Sequence, residues 1–300
     1  MSRPTISPTT PTGTVDEPKP TRESNRPRSD GGWAAIIVLI IGGMGMVVPF
    51  LWMFSTSMRL PGQAFDLPPK WLPFPIRTLN YDTAINGVVP LLHSMLNSAF
   101  VAITVSIAQI ILCPLAGYAF ARLKFWGSNA LFVMLLAGLM VPLQVTIIPL
   151  FIVMKNLNLL DSLWSLILPS LTSAFGVFLM RQFFLGLPQE ILDASKIDGA
   201  SAFTTYRLVA LPLAKPGLTT LGVITLLASW NSYFMPLIFL KDLDHSTMPL
   251  ALVAMLGPYG SGNVAAVMAA TTIAIFPALV VFLIAQRWII ASLTSTGVKG

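Results

Sequence analysis

A polar segment of this chain reads Pro188-Gln-Glu-Ile-Leu-Asp-Ala-Ser-Lys-Ile-Asp-Gly-Ala-Ser-Ala-Phe203 and continues through Leu211-Pro212 to Lys215-Pro216. It lies between two apolar runs, near residues 162–184 and 217–240. Each run is long enough to cross a bilayer, since a membrane helix needs about 20 residues. A polar segment in that position indicates a membrane protein that presents a shaped surface to a soluble partner.

The composition is that of a membrane protein. Hydrophobic residues make up 55% of the chain and charged residues only 10%, whereas ordinary soluble domains contain roughly 25% charged residues. Because backbone groups in lipid must be satisfied within their own segment, the apolar runs are predicted to be helices. Six runs reach spanning length, near Trp33–Ser57, His93–Phe120, Gly127–Phe151, Ser162–Phe184, Gly217–Leu240 and Val264–Trp288. The sequence therefore predicts an all-α integral membrane protein with six transmembrane helices.

The distribution of lysine and arginine predicts the orientation. With the N-terminus placed inside, 13 of the 18 basic residues fall on the inner side, and the outer side carries Arg59, Lys70, Arg77, Lys155 and Lys241. Under the positive-inside rule, both termini and the 188–217 segment are expected to be cytoplasmic in a multi-pass protein of the cell membrane. Residues 1–31 are rich in Pro, Thr and Ser, which predicts a disordered cytoplasmic tail before a membrane domain over residues 32–300. The basic residues are spread over short loops, which gives no support to nucleic-acid binding.

The sequence lacks the residues that several other functions would require. All twelve acidic residues lie outside the predicted spans, whereas proton- and cation-coupled carriers usually need intramembrane carboxylates. A secondary carrier or passive channel is therefore the disfavoured alternative. The sequence contains no P-loop, metal-ligand spacing or nucleophile motif, so no metal site and no catalytic site are expected. If the protein is an active transporter, its energy must come from another chain.

The polar segment shows the periodicity of a short amphipathic helix. Pro188 suits the first position of this helix. The first residue of a helix has no partner for its N–H within the helix, so proline, which has no N–H, costs nothing there. Apolar residues recur at helical spacing on one face, namely Leu187, Ile191, Ala194 and Ile197. Polar residues line the opposite face, namely Gln189, Asp193 and Lys196. The spacing predicts a helix that lies against the membrane surface.

Gly199 follows this helix where the chain must turn. Glycine adopts the left-handed conformation without a steric penalty, so it suits the end of a helix. A second short helix is predicted to carry Phe203, Tyr206 and Ala210 on one side. Pro212 and Pro216 are expected to end it. Periodicity alone does not separate this helix–turn–helix from an ordinary amphipathic loop packed on its own helix ends.

The spacing across the segment resembles the EAA loop of ABC-importer permease subunits. Asp193-Ala194-Ser195, three residues, Gly199, nine residues, Val209, one residue and Leu211-Pro212 match Glu-Ala-Ala, three residues, Gly, nine residues, Ile, one residue and Leu-Pro. Asp, Ser and Val replace Glu, Ala and Ile, and these changes keep the helix and the turn. The resemblance implies a coupling helix that sits in a cleft of an ATP-binding subunit. The residues to which it gives this role are Glu190, Asp193, Ala194, Ser195, Asp198, Gly199, Ala200, Phe203, Tyr206 and Pro212.

Further motifs over residues 33–300 resemble the second permease subunit of sugar importers, the maltose-type G subunit family. They are Asn97-Ser98, Met140-Val141-Pro142-Leu143-Gln144, Ile148-Pro149-Leu150, Trp230-Asn231-Ser232-Tyr233, Pro236-Leu237, and Gln286-Arg287-Trp288 through Gly297-Val298-Lys299-Gly300. The resemblance implies a permease subunit that binds no cofactor itself. Its implied partners are a homologous permease, a dimer of ATP-binding subunits that uses ATP and magnesium, an extracytoplasmic solute-binding protein and membrane lipid. The implied cargo is a sugar or sugar-like solute, and glycerol-3-phosphate is the alternative.

Polar and aromatic residues inside or beside the apolar runs are candidates for the translocation path. They are Asn97, Gln144, Trp230, Asn231 and Tyr233. Polar groups in a span are costly unless they bond between helices or face water, and both interpretations fit these residues. Trp230 and Tyr233 are suited either to stack on sugar rings or to pack between helices.

Overall fold

The computed structural model describes residues 32–64, 66 and 71–296, without the side chains of residues 34, 259 and 287–296. The predicted disordered tail over residues 1–31 lies outside the described residues. The chain divides into two compact units, residues 1–47 and 48–300. The described part of the first unit is the beginning of helix α1, and the remaining elements belong to the second unit.

The described part of the chain is helical and contains no β-strand. Its α-helices are α1 (Gly32–Ser57), α2 (Leu79–Asn86), α3 (Leu91–Arg122), α4 (Ser128–Leu139), α5 (Leu143–Asn156), α6 (Trp164–Ile167), α7 (Ala174–Leu185), α8 (Gln189–Ile197), α9 (Ala202–Thr205), α10 (Leu211–Leu213), α11 (Lys215–Trp230), α12 (Phe234–Phe239), α13 (Met248–Met255) and α14 (Val264–Thr296). The all-helical prediction is confirmed for these residues.

Four helical segments are long and apolar enough to cross a membrane, namely Ala35–Ser57, Leu91–Arg122, Trp164–Leu185 and Val264–Gln286. Two bent pairs of helices meet the same requirement together. They are Ser128–Leu139 with Leu143–Asn156, bent by 102°, and Ala202–Leu213 with Lys215–Trp230, bent by 75°. The described chain therefore has four candidate spans, or up to six if each bent pair crosses once.

The third predicted span, residues 127–151, is not one straight helix. Helix α4 ends at Leu139, and α5 begins after Pro142, whose ψ of 141° is extended. Proline has no N–H to continue a helix, and it disfavours the helical conformation at the preceding residue, Val141. These two restrictions favour a break in the helix between α4 and α5.

The fourth and fifth predicted spans also differ from continuous helices. A 3₁₀ turn over Leu168–Ser170 follows α6, and α7 starts only after Ser173, so the fourth span is interrupted near its middle. The fifth span was predicted to run to residue 240, but α11 ends at Trp230 and a separate helix, α12, begins at Phe234. Non-helical backbone at membrane depth is tolerated only where it lies within protein or lines a cavity.

Helix α3 packs closely against α7 and α11. A Cβ placed on Gly117 of α3 would stand 2.8 Å from the Cβ of Met180 on α7. A Cβ on Gly222 of α11 would stand 2.8 Å from the Cδ1 of Ile110 on α3. Small residues let membrane helices approach closely, so these glycines allow the three helices to form one packed unit.

Candidate functional site

The segment from Pro188 to Ala214 forms two short helical arms, and we call it the elbow. Its first arm is α8, flanked by Pro188 and Asp198. Its second arm runs through α9, a π-helical turn over Tyr206–Ala210, and α10. The two short helices predicted from periodicity are confirmed.

The second arm ends at Leu213, between Pro212 and Pro216, where the sequence predicted its end. Pro212 lies in α10, directly after the π-helical turn over Tyr206–Ala210. The bend comes after Leu213, between α10 and α11. The π-helical turn before α10 changes the hydrogen-bond spacing just ahead of the proline, which accommodates the ring without breaking the arm.

Gly199 forms the turn between the arms. Its φ is +78°, so it occupies the left-handed region that the sequence predicted. The N–H of Gly199 donates to the carbonyl of Lys196, and the N–H of Ala200 donates to the carbonyl of Ser195, both at 3.0 Å. A Cβ on Gly199 would meet no atom within 4 Å. The requirement for glycine is therefore conformational and not one of space.

The apolar face predicted for α8 is not its buried face. Ile191 and Ile197 are 42% and 86% exposed, whereas Leu192 and Ser195 are 2% and 9% exposed. The hydroxyls of Ser195 and Thr205 lie 2.9 Å apart and join the two arms. The buried side of α8 is therefore set by the hydrogen bond between the arms and by the packing of Leu192. It is not the side that hydrophobicity predicts.

Most of the predicted coupling residues lie on the outer surface of the elbow. The exposed ones are Glu190, Asp193, Ala194, Asp198, Gly199, Phe203 and Pro212, and Ala200 is partly exposed. Ser195 and Tyr206 are buried. The ring centroid of Tyr206 lies 5.2 Å from that of Tyr118 on α3 and 6.2 Å from that of Phe184 on α7. Ser195 joins the two arms of the elbow, and Tyr206 attaches the elbow to α3 and α7.

Asp193 is held by two neighbours on α8. Lys196 Nζ lies 2.9 Å and Gln189 Nε2 lies 3.0 Å from its Oδ1. The hydrogen bond from Lys196, followed by that from Gln189, lowers the pKa of the Asp193 carboxyl below its usual range. Because the carboxyl is exposed, this ion pair adds little to stability. The carboxylate is therefore charged and accessible at neutral pH.

Arg122 connects the end of α3 to the elbow, a role that the sequence did not reveal. Its Nε and Nη2 donate to the carbonyl of Phe184 at 3.0 and 2.6 Å, and Nη2 also donates to that of Leu187 at 2.7 Å. Its Nη1 donates to Oε1 of Gln189 at 2.5 Å. The guanidinium thus satisfies the last carbonyls of α7 and the first residue of α8 together. In the sequence, its only signal is a single arginine at the end of an apolar run.

The five predicted path residues have different environments. Asn97 is buried, and its amide donates to the carbonyls of Asp244 and Ser246 at 2.8 and 3.0 Å. Trp230 is buried, Tyr233 is partly exposed, and Gln144 and Asn231 are exposed. Asn231 donates to the carbonyl of Leu227 within its own helix end. Their role in a path stays a prediction.

A cavity of about 310 Å³ lies where α3, the interruption between α6 and α7, and α11 meet. Its polar lining consists of hydroxyl groups and one amide, from Ser98, Gln109, Ser170, Ser173, Thr225, Ser229, Ser232 and Thr247. Its remaining lining residues are apolar, so every lining residue is uncharged. A second cavity of about 660 Å³ shares Gln109, Ser170 and Ser173 and extends to α5. None of the five predicted path residues lines either cavity.

Gln109 joins three helical segments at this cavity. Its Nε2 donates to the carbonyl of Ser170 at 2.9 Å. Its Oε1 accepts hydrogen bonds from the hydroxyls of Ser173 at 2.9 Å and Thr225 at 3.1 Å. Ser173 Oγ also caps α7 by accepting from the N–H of Gly176 at 3.0 Å. The Gln109 side chain thereby provides hydrogen-bond partners for the non-helical stretch between α6 and α7. Lipid has no groups that could do so.

At the opposite end of the candidate spans, Asp161 joins two loops. Its Oδ1 accepts hydrogen bonds from the N–H groups of Lys241 and Asp242 at 2.9 and 3.0 Å, and lies 3.5 Å from His245 Nδ1. The bonds from Lys241 and Asp242, in that order, lower the pKa of the Asp161 carboxyl. Ligand atoms of Asp161, Asp242 and His245 lie within 4.8 Å of one another. Because backbone N–H groups already bind the Asp161 oxygen, we interpret the cluster as a loop contact.

These features define a polytopic helical membrane protein with an elbow between candidate spans. Residues 114–295 match the family described as binding-protein-dependent transport system inner membrane component. The match covers more than half of the chain, which therefore belongs to this family. The chain is accordingly a permease subunit of the plasma membrane and not an enzyme, and the resemblance noted in the sequence is confirmed.

Similar proteins support the assignment. The arabinooligosaccharides transport system permease protein AraQ of Bacillus subtilis (strain 168) is 34% identical over 82% of this chain and 86% of its own length. The sn-glycerol-3-phosphate transport system permease protein UgpE of Yersinia pestis bv. Antiqua (strain Antiqua) is 34% identical over 87% of this chain and 95% of its own length. A chain in the crystal structure of a bacterial ABC transporter involved in the import of the acidic polysaccharide alginate has the same fold. It matches with a TM-score of 0.75 at 21% identity, over 86% of this chain and 96% of that one.

Proposed function

We propose that this chain forms half of the translocation path of an ATP-driven, binding-protein-dependent importer for sugars or sugar-like solutes. A homologous permease would form the other half, and an extracytoplasmic binding protein would deliver the solute. ATP and magnesium would be used by a separate dimer of ATP-binding subunits. The bent pair of α4 and α5 would cross the membrane once, and α11 with α12 would supply the fifth crossing, giving six spans with both termini in the cytoplasm.

The observation that carries this proposal is the exposed outer face of the elbow. Ile197 and Phe203 are 86% and 63% exposed, and they flank the Gly199 turn. Contiguous exposed apolar side chains mark surfaces that bind a partner. The charged Asp193 lies one helical turn before Ile197 on α8, so the face combines apolar side chains with a charged group, as protein interfaces do. We infer that the ATP-binding subunit docks on this face.

The internal contacts of the elbow suit it to transmit movement. The Ser195–Thr205 contact fixes the angle between the arms, and Tyr206 fixes the second arm to α3 and α7. Arg122 fixes the start of the first arm to the end of α3. A displacement of the docked ATPase would therefore move the elbow and the attached helices together.

The cavity at Gln109 supports a neutral, hydroxyl-rich cargo. Hydroxyl and amide groups both donate and accept hydrogen bonds, which matches the hydroxyls of a sugar. A phosphate is bound best by cationic side chains or by helix N-termini, and the lining of this cavity is uncharged. We therefore favour a sugar over glycerol-3-phosphate, which remains the second candidate because UgpE is as similar to this chain as AraQ is.

The test is ATP hydrolysis by the reconstituted complete transporter with its binding protein. Neutral oligosaccharides and glycerol-3-phosphate are supplied in turn, and the permease alone serves as a control. We expect hydrolysis to be stimulated by a neutral sugar and to be absent from the isolated permease. Stimulation by glycerol-3-phosphate alone would overturn the cargo assignment, and hydrolysis by the isolated, pure permease would overturn the proposed division of labour.

A further inference from the structure

A pocket lined by basic residues lies behind the elbow, on the side away from its exposed apolar face. It has a volume of about 530 Å³, between the end of α3, helix α8 and the second arm. Three of its lining residues are basic, namely Arg122, Lys124 and Lys196, and Tyr118, Gln189 and Thr205 add polar groups. One carboxylate, that of Asp193, contacts Lys196. The pocket thus has a net positive charge and suits an anion.

A second pocket of about 740 Å³ adjoins the basic one, and Leu123 and Lys124 line both. Phe120, Phe125 and Trp126 give the second pocket an aromatic wall. The side chain of Trp126 is 99% exposed. The two pockets side by side therefore offer positive charge at one end and apolar surface at the other.

The position of these pockets in the chain sets their depth in the membrane. Only residues 123–127 separate α3 from α4, and both helices belong to candidate spans. So short a connection must lie at the membrane surface, where lipid headgroups meet their acyl chains. Tryptophan is enriched at this depth, which accounts for a fully exposed Trp126.

Helix α8 separates the basic pocket from the outer face of the elbow. Gln189, Leu192 and Lys196 line the pocket and share one side of the helix, because residues three and four apart face the same way. The exposed Ile191, Ala194 and Ile197 lie on the other side. A ligand in the pocket and an ATPase on the outer face would therefore not compete for the same surface.

We propose that the basic pocket binds the phosphate of an anionic phospholipid and that the aromatic pocket receives the start of its acyl chains. Basic pockets between membrane helices on the cytoplasmic side bind anionic headgroups, and each nearby lysine or arginine strengthens the attraction. The bound lipid touches both the end of α3 and the elbow, so it stabilises the elbow in its attached position. This proposal rests on the chain being a membrane permease with the elbow facing the cytoplasm, and it is independent of the cargo.

The test measures lipid bound to the intact transporter by native mass spectrometry in detergent. Phosphatidylglycerol, phosphatidylcholine and inorganic phosphate are titrated separately. The variants are Lys124→Gln with Lys196→Gln, and Lys215→Gln as the control, since Lys215 is an exposed lysine at the start of α11 that does not line the pocket. We expect the double variant to bind phosphatidylglycerol at least about tenfold more weakly, and the control to keep wild-type affinity.

Three results would overturn the proposal. Equal binding of phosphatidylcholine and phosphatidylglycerol would mean that charge does not select the ligand. Displacement of phosphatidylglycerol by millimolar inorganic phosphate would identify a free-phosphate site. Loss of the ATP-binding subunit from the double variant in lipid-free detergent would assign the pocket to a protein interface. As a positional readout, brominated phosphatidylglycerol should quench wild-type tryptophan fluorescence more than that of Trp126→Phe.

Discussion

Arg122 at the end of α3 and Gln189 at the start of α8 are joined by a hydrogen bond of 2.5 Å. The same guanidinium binds the carbonyls of Phe184 and Leu187. Arg122→Lys should break most of these bonds, because an ammonium lacks the planar fork of a guanidinium. With hydrogen bonds to charged groups contributing about 1.5–3 kcal/mol, we expect substrate-stimulated ATP hydrolysis to fall by about tenfold while the protein still reaches the membrane.

The matched control is Arg207→Lys, since Arg207 is an exposed arginine on the second arm of the same elbow. Membrane levels, ATPase retention and the ratio of solute transported to ATP hydrolysed are measured for both variants. A role confined to folding would lower membrane levels in proportion to transport. Wild-type substrate-stimulated ATP hydrolysis by a well-expressed Arg122→Lys protein would mean that this arginine does not connect the span to the elbow.

Gly117 provides a test of the packing between α3 and α7. In Gly117→Ala, the new Cβ would stand 2.8 Å from Met180 Cβ and 2.9 Å from the backbone nitrogen of Arg181. Backbone cannot move aside cheaply, so the cost should be that of overpacking, about 1–3 kcal/mol. Gly138→Ala is the control, because a Cβ there meets nothing within 4 Å. Thermal unfolding in detergent should show a lower midpoint for the Gly117 variant only, and equal midpoints would contradict the packing.

The candidate spans were largely predictable because length and apolar content are local properties of a sequence. The spans at residues 35–57, 91–122 and 264–286 lie close to their predicted runs. Pro142 inside an apolar run predicts a kink, but neither the size of the bend there nor the end of α11 at Trp230 was predicted. A proline inside an apolar run fits a mild kink as well as a 102° bend, and the choice between them depends on neighbouring helices.

In the candidate site, too, features set by the local sequence were predictable, and features set by residues far away in the chain were not. Gly199 was predictable because a left-handed turn needs only local information. The buried side of α8 was not, because it depends on Thr205 from the other arm. Gln109 was missed since its partners, Ser170 and Thr225, lie 61 and 116 residues further along the chain. A single sequence does not show which polar groups the fold brings to one glutamine.

The Gly199 turn should be the most sensitive part of the elbow. A β-branched residue in the left-handed conformation costs about 1–2 kcal/mol, so Gly199→Val should misdirect the second arm and uncouple ATP hydrolysis from transport. Gly199→Asn is the matched control, because asparagine tolerates this conformation and the site has room for a side chain. Charge reversal at Asp193 should act in the same direction more weakly. Wild-type transport by a well-expressed Gly199→Val protein would remove the coupling assignment.

The Asp161 contact should make one part of the fold sensitive to acid. Hydrogen bonds from the backbone of Lys241 and Asp242 lower the pKa of Asp161 in the folded state. A carboxyl with a lowered folded pKa stabilises the protein above its unfolded pKa, and this contribution is lost as the pH falls through the folded pKa. Asp161→Asn should therefore lower the unfolding midpoint at pH 7 but have less effect in acid. An equal effect at both pH values would show that the charge of Asp161 is not responsible.

Cysteine labelling tests the proposed orientation, and the chain is well suited to it. The only native cysteine, Cys113, is fully buried, so background labelling should be low. Ile197→Cys, at a position that is 86% exposed, should react with an impermeant maleimide only from the cytoplasmic side. Asp82→Cys, at an exposed position in α2, should react only from outside, as the excess of basic residues on the elbow side predicts. Ser195→Cys is the matched control, because it lies on the same helix as Ile197 but is only 9% exposed, and it should react slowly from the cytoplasmic side and not at all from outside. Adding the ATP-binding subunit should protect Ile197→Cys if the outer face of the elbow is its docking surface. Labelling of Ile197→Cys from outside would reverse the topology, and labelling unaffected by the ATPase would move the docking surface elsewhere.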